Sequence, residues 1–141
     1  MFSSRLTLFR VAGIAIRADA SWLFLVVLVT WSLAAGMFPM HYRGLPQRTY
    51  WLLGAIGAVG LFASILFHEL SHAIVARRRG LPMKGITLFL FGGVAEMEEV
   101  PGNARTELLI SIAGPLATLV LIVVLSRWPR WQRAAIGRWS P

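Results

Sequence analysis

The chain of 141 residues has no cysteine and a single aspartate, and only 14% of its residues are charged. Without cysteine there is neither a disulfide framework nor a thiolate metal site. So little charge excludes an ordinary soluble domain, in which about a quarter of the residues are charged. Acids are scarcer than bases, 6 against 14. The arginines sit at the ends of apolar stretches rather than in a stripe, which argues against nucleic-acid binding and for basic flanks that meet anionic lipid headgroups. With 57% hydrophobic residues and a mean hydropathy of +0.67, the chain reads as a membrane protein in contact with a lipid bilayer.

About 20 helical residues cross a hydrocarbon core of roughly 30 Å. Three apolar segments meet that requirement, at residues 22–38, 50–76 and 108–126. The turn between the first two is short and rich in proline and glycine. Between the second and third lies a longer stretch whose run at 86–91, ITLFLF, is too short to span as a helix. It reads as a strand that stops at a Gly92-Gly93 turn or bulge, within a strand loop at about 85–100. The segment before the first span, LTLFRVAGIAIRAD, has similar strand character. The expected fold is membrane α-helical: three transmembrane helices with a small membrane-associated β-sheet or hairpin. Bare strands are too costly in lipid, so the sheet should lie at the interface or line a wet cavity.

Toward the end of the second span stands His68-Glu69-Leu70-Ser71-His72. Histidines four residues apart share one helical face, and two neutral imidazoles there can chelate one Zn²⁺. Glu69 holds the place that HExxH sites give to the general base acting on water at the metal. Two of the chain's three histidines fall in this pentapeptide, and ionisable groups within a span are expensive enough to default to function.

Beyond HExxH, GIAIRADASW, LFLFGGVAEM and ELLISIAGPLATL follow one another in an order that resembles the site-2 protease family of intramembrane zinc metalloproteases, over about residues 12–121. The resemblance implies one site-2-protease-like transmembrane domain over residues 1–141. It implies Zn²⁺ as cofactor, His68 and His72 as metal ligands, Glu69 as catalytic base, and hydrolysis within or near the transmembrane segment of a membrane-protein substrate. A helical substrate must unwind before attack. An edge strand at 86–91 would pair with the extended segment, with Leu90, Phe91, Gly92 and Gly93 as substrate contacts. Ser71 and the glycine-rich stretches would help admit water. Ala113, Gly114, Ala117 and Thr118 are small and suit close packing on the histidine helix; many relatives have Asn at or near Thr118.

The family's third ligand is an Asp from a later span, in a segment reading roughly N-x-x-P-x-x-P-x-D-G. No such segment follows Leu121, and the one aspartate is Asp19. Glu96, Glu98 and Glu99 read as a solvated acidic turn. The chain is therefore expected to lack the final core helix, and catalysis by these residues alone is not expected. The alternative is a non-catalytic relative that binds single-span clients as a scaffold. Eight basic residues lie in the N-terminal segment and second loop, six in the first turn and the tail. This imbalance, with the resemblance, puts the HExxH end on the cytoplasmic side of a multi-pass protein of the cell membrane.

Overall fold

The computed structural model describes residues 6–90, 92–97 and 101–136. A strand hairpin leads into the first apolar helix, and a second hairpin separates the two longest helices. Strands β1 (Leu6–Val11) and β2 (Ile14–Ala18) are antiparallel. Ala12 and Gly13 join them with φ of 48° and 78°, the pair of positive values that a two-residue turn matched to strand twist requires. The first apolar helix runs from Ala20 to His41. It comprises α1 (Ala20–Trp31), a π-helical segment (Ser32–Met37) and α2 (Phe38–His41). Then come α3 (Gln47–Arg78), β3 (Met83–Phe89), β4 (Gly92–Met97) and α4 (Ala104–Ile136). Three helices, at Ala20–His41, Gln47–Arg78 and Ala104–Arg127, are long and apolar enough to cross a membrane.

Helix ends follow local chemistry. Asp19 caps α1, its carboxylate accepting the Ser21 N–H at 2.9 Å, and Asn103 does the same for α4 through the Thr106 N–H at 2.8 Å. At the end of α3, Gly80 adopts a φ of 84°. The Leu81 N–H then bonds back to the Ala76 carbonyl at 3.1 Å and the Gly80 N–H to that of Arg77 at 3.0 Å. This double closure satisfies carbonyls that the helix leaves open, and it drops Leu81 into a small core with Ala76 and Ile110.

The sheet has the order β1-β2-β3-β4, antiparallel at both margins and parallel between β2 and β3. The run at 86–91 is therefore not an edge strand. β3 ends at Phe89 and is paired on both sides, with Ile86 opposite Ile16 of β2 and Ala95 of β4. Gly92 and Gly93 open β4, opposite Phe89 and Leu88, so they belong to the edge strand rather than to a terminating bulge. Strand alternation puts Ile14, Ile16, Ile86 and Leu88 on one buried face, which packs on Ala73 of α3, one residue past His72. The sheet is thus fastened to the helix that carries the histidines. On its other face the Thr87 hydroxyl donates to Glu96 at 2.9 Å and Arg17 pairs with Glu96 at 3.5 Å.

The first helix also leans on α3. A Cβ on Gly54 would stand 2.8 Å from the Thr30 carbonyl oxygen and 3.0 Å from the Ala34 side chain, so glycine here permits backbone-to-backbone contact. Trp22 meets Phe62 edge-on with ring centroids 5.3 Å apart. The outward faces stay apolar and uncovered, among them Leu23, Phe24, Val27, Leu119 and Val123.

Candidate metal centre

His68 and His72 lie one turn apart on α3, with Glu69 beside them. The two Nε2 atoms face each other at 3.1 Å. Two nitrogens bound to one tetrahedral ion at 2.0–2.1 Å stand about 3.3 Å apart, so the spacing fits one shared zinc. The remaining ring nitrogens are tied to α4: His72 Nδ1 lies 2.6 Å from the Ile110 carbonyl oxygen, and His68 Nδ1 lies 2.9 Å from Thr118 Oγ1. A carbonyl only accepts, so His72 carries its proton on Nδ1 and presents a lone pair at Nε2. That is how metal-ligating histidines are usually oriented from behind.

Gly114 sits between these two anchors on α4. A Cβ there would fall 2.6 Å from His68 Nε2 and closer still to His72 Nε2. The facing backbone thus leaves the convergence point of the imidazoles clear. Ile110, Gly114 and Thr118 recur every four residues, the spacing of the histidines they face. From the sequence Thr118 reads first as a packing residue, and no motif there marks the Ile110 carbonyl. The shared four-residue period was the signal that could have found both.

A cavity of about 350 Å³ opens on one flank, lined by Ser64, Ile65, His68, Glu69, Gly92, Gly93 and Thr118. Of the expected substrate contacts, Gly92 and Gly93 share this cavity with Glu69. Leu90 is not in its wall; its N–H donates to Ser21 Oγ at 3.2 Å, which ties the sheet to the first turn of α1. Phe91 lies outside the described residues. Ser71 does not serve the site: its hydroxyl donates to the Phe67 carbonyl at 2.7 Å. It lines a separate, mostly apolar groove of about 780 Å³ between α3 and α4.

Among the described residues no group of three His, Cys, Asp or Glu side chains could hold a metal. Asp19 is the cap of α1 and Glu96 is held by Arg17 and Thr87; Glu98 and Glu99 lie outside the described residues. His41 is on α2, its Nδ1 2.9 Å from the Met37 carbonyl oxygen. The donor set therefore fits zinc through two imidazoles, poised by α4, with a carboxylate next to them.

Paired helix histidines and an adjacent glutamate thus stand beside a cavity edged by β4, the arrangement expected of an HExxH site. The family model for peptidase family M50 matches residues 56–127. A solved structure of the site-2 protease from Methanocaldococcus jannaschii aligns with a TM-score of 0.65 at 29% identity, over 91% of this chain and 52% of that one. The chain belongs to the M50 peptidases, the site-2 protease family. Among curated relatives, Rip3 of Mycobacterium tuberculosis is 46% identical over 79% of the chain and 28% of its own length. Zinc metalloprotease MJ0392 of Methanocaldococcus jannaschii is 35% identical over 84% of the chain and 30% of its own length. The chain thus spans under a third of the length of these relatives.

Proposed function

We propose that this chain carries the metal-binding and general-base part of an intramembrane zinc protease, which hydrolyses peptide bonds in or near the transmembrane segments of membrane-protein substrates. The observation that carries the reading is the convergence of His68 and His72 at 3.1 Å, beside a cavity that also holds Glu69 and the start of β4. Zinc, when bound, supplies Lewis acidity and makes water a competent nucleophile near neutral pH. His68 and His72 hold it, and the Ile110 carbonyl and Thr118 hydroxyl keep their rings turned inward. Glu69 takes the proton from the attacking water and passes it to the leaving amine.

An unwound substrate segment adds to the free edge of β4, Gly92–Met97, by strand addition, and that edge delivers it over Glu69. On this reading the protein is a multi-pass component of the cell membrane with the Arg77–Arg79 end of α3 and the sheet toward the cytoplasm, supported by three helices long and apolar enough to span and by the balance of basic residues. The test is zinc content and cleavage in a full-length version. His72→Ala should lose zinc, and Glu69→Gln should keep it while turnover falls at least about 100-fold. Zinc lost in Glu69→Gln would contradict the division of roles.

A second reading is a non-catalytic scaffold that binds single-span clients through the same sheet edge. It is favoured by the lack of a third metal donor among the described residues. Client binding that persists in Glu69→Gln and His72→Ala, with no cleavage by the unaltered full-length protein, would select it.

A further inference from the structure

We infer that Thr118 is a positioning residue that lets His68 exchange one imidazole tautomer for the other, so that a shared proton joins the histidine pair without zinc and a shared ion joins it with zinc. This rests on the metal-centre reading above. The argument begins with the unequal partners of the two rings. The Ile110 carbonyl, 2.6 Å from His72 Nδ1, can only accept, which fixes His72 as the Nδ1–H tautomer with a lone pair on Nε2. His68 Nε2 lies 3.1 Å from that lone pair. With both rings neutral and no cation between them, two lone pairs at this distance would repel, and His68 then donates from Nε2. Its Nδ1 is then bare and needs a donor, and the Thr118 hydroxyl at 2.9 Å provides one.

Zinc reverses the demand. Both Nε2 atoms must now offer lone pairs. The proton leaves His68 Nε2 and one is taken up at Nδ1, through water in the cavity that His68 and Thr118 both line. The imidazole stays neutral and no proton is gained or lost. Nδ1–H then needs an acceptor, and the same hydroxyl serves after rotating about its C–O bond. A carbonyl at this point would lock His68 in the zinc-ready form and leave the zinc-free pair repelling. A methyl group would deprive Nδ1 of its side-chain partner in both states.

The test uses the full chain with ¹⁵N-labelled histidine in lipid nanodiscs, titrated with Zn²⁺. Zinc-free protein should show His72 as the Nδ1–H tautomer and His68 as Nε2–H, and zinc should convert His68 alone to Nδ1–H. Thr118→Val should weaken zinc binding by about 10- to 100-fold, and Thr118→Ser should restore it. His68 keeping one tautomer throughout, or Thr118→Val binding zinc as tightly as the unaltered chain, would overturn the inference. Failure of the unaltered chain itself to bind zinc would instead remove the metal-centre reading, and the exchange with it.

Discussion

Gly93 of β4 stands against Glu69 of α3 so closely that a Cβ on the glycine would lie 2.7 Å from Glu69 Cγ and 3.3 Å from Leu88 Cδ2. The missing side chain thus sets where the carboxylate rests. Gly93→Ala should push Glu69 aside while leaving both imidazoles untouched. In a full-length version turnover should fall about 10- to 100-fold, the scale of a misplacement near 1 Å, with zinc content unchanged. Cleavage and metal analysis of the same preparation check this, and undiminished turnover would show that Glu69 is not held by the strand.

Gly114→Ala should act on the metal rather than on the base. Its Cβ would enter the space between the two Nε2 atoms, so the imidazoles must part or α4 must retreat. Zinc binding should be lost, and overpacking of the helix pair should cost about 1–3 kcal/mol. Zinc stoichiometry and thermal unfolding in detergent read the two effects separately. Full zinc occupancy in Gly114→Ala would mean that the ion sits elsewhere.

The isolated chain of 141 residues should not cleave a transmembrane substrate at a useful rate. Among the described residues only two imidazoles converge; they hold zinc less tightly and less rigidly than the three protein ligands of catalytic sites, and activation of water depends on that geometry. A mild chelator should strip the purified chain of zinc. Chelator-sensitive cleavage by this chain alone would direct the search for a third donor to Glu98 and Glu99.

Side-specific labelling gives a further test, and the absence of cysteine makes it free of background. Arg78 is exposed at the last turn of α3, with no ion-pair partner among the described residues. Arg78→Cys should react with an impermeant thiol reagent only from the cytoplasmic face. Labelling from outside the cell would invert the orientation proposed above.

What was legible in the sequence is what depends on near neighbours. Apolar stretches at 22–38, 50–76 and 108–126 fall inside helices at Ala20–His41, Gln47–Arg78 and Ala104–Arg127, because length and composition decide such helices locally. The convergence of His68 and His72 followed from helical spacing alone. The role of β3 did not follow. ITLF has strand character whichever partners it finds, and its parallel neighbour β2 is remote in the chain. Gly92 and Gly93 read as a stop because glycine weakens strands, yet the place of Gly93 is set by Glu69 on another element. Ser71 and Thr118 went astray for a common reason. Helices that are apolar nearly all round show no preferred face, so which polar residue meets the histidines depends on how α3 and α4 rotate against each other.

The parallel register of β2 with β3 joins Ile16 to Ile86, residues on opposite sides of two long helices. Closing so large a loop comes late in assembly, after the first two long helices and β3 have all been made. Until then no strand covers Glu69 and no α4 backbone braces the imidazoles. The proposed hydrolytic centre would thereby stay incomplete until the sheet has closed and α4 has docked.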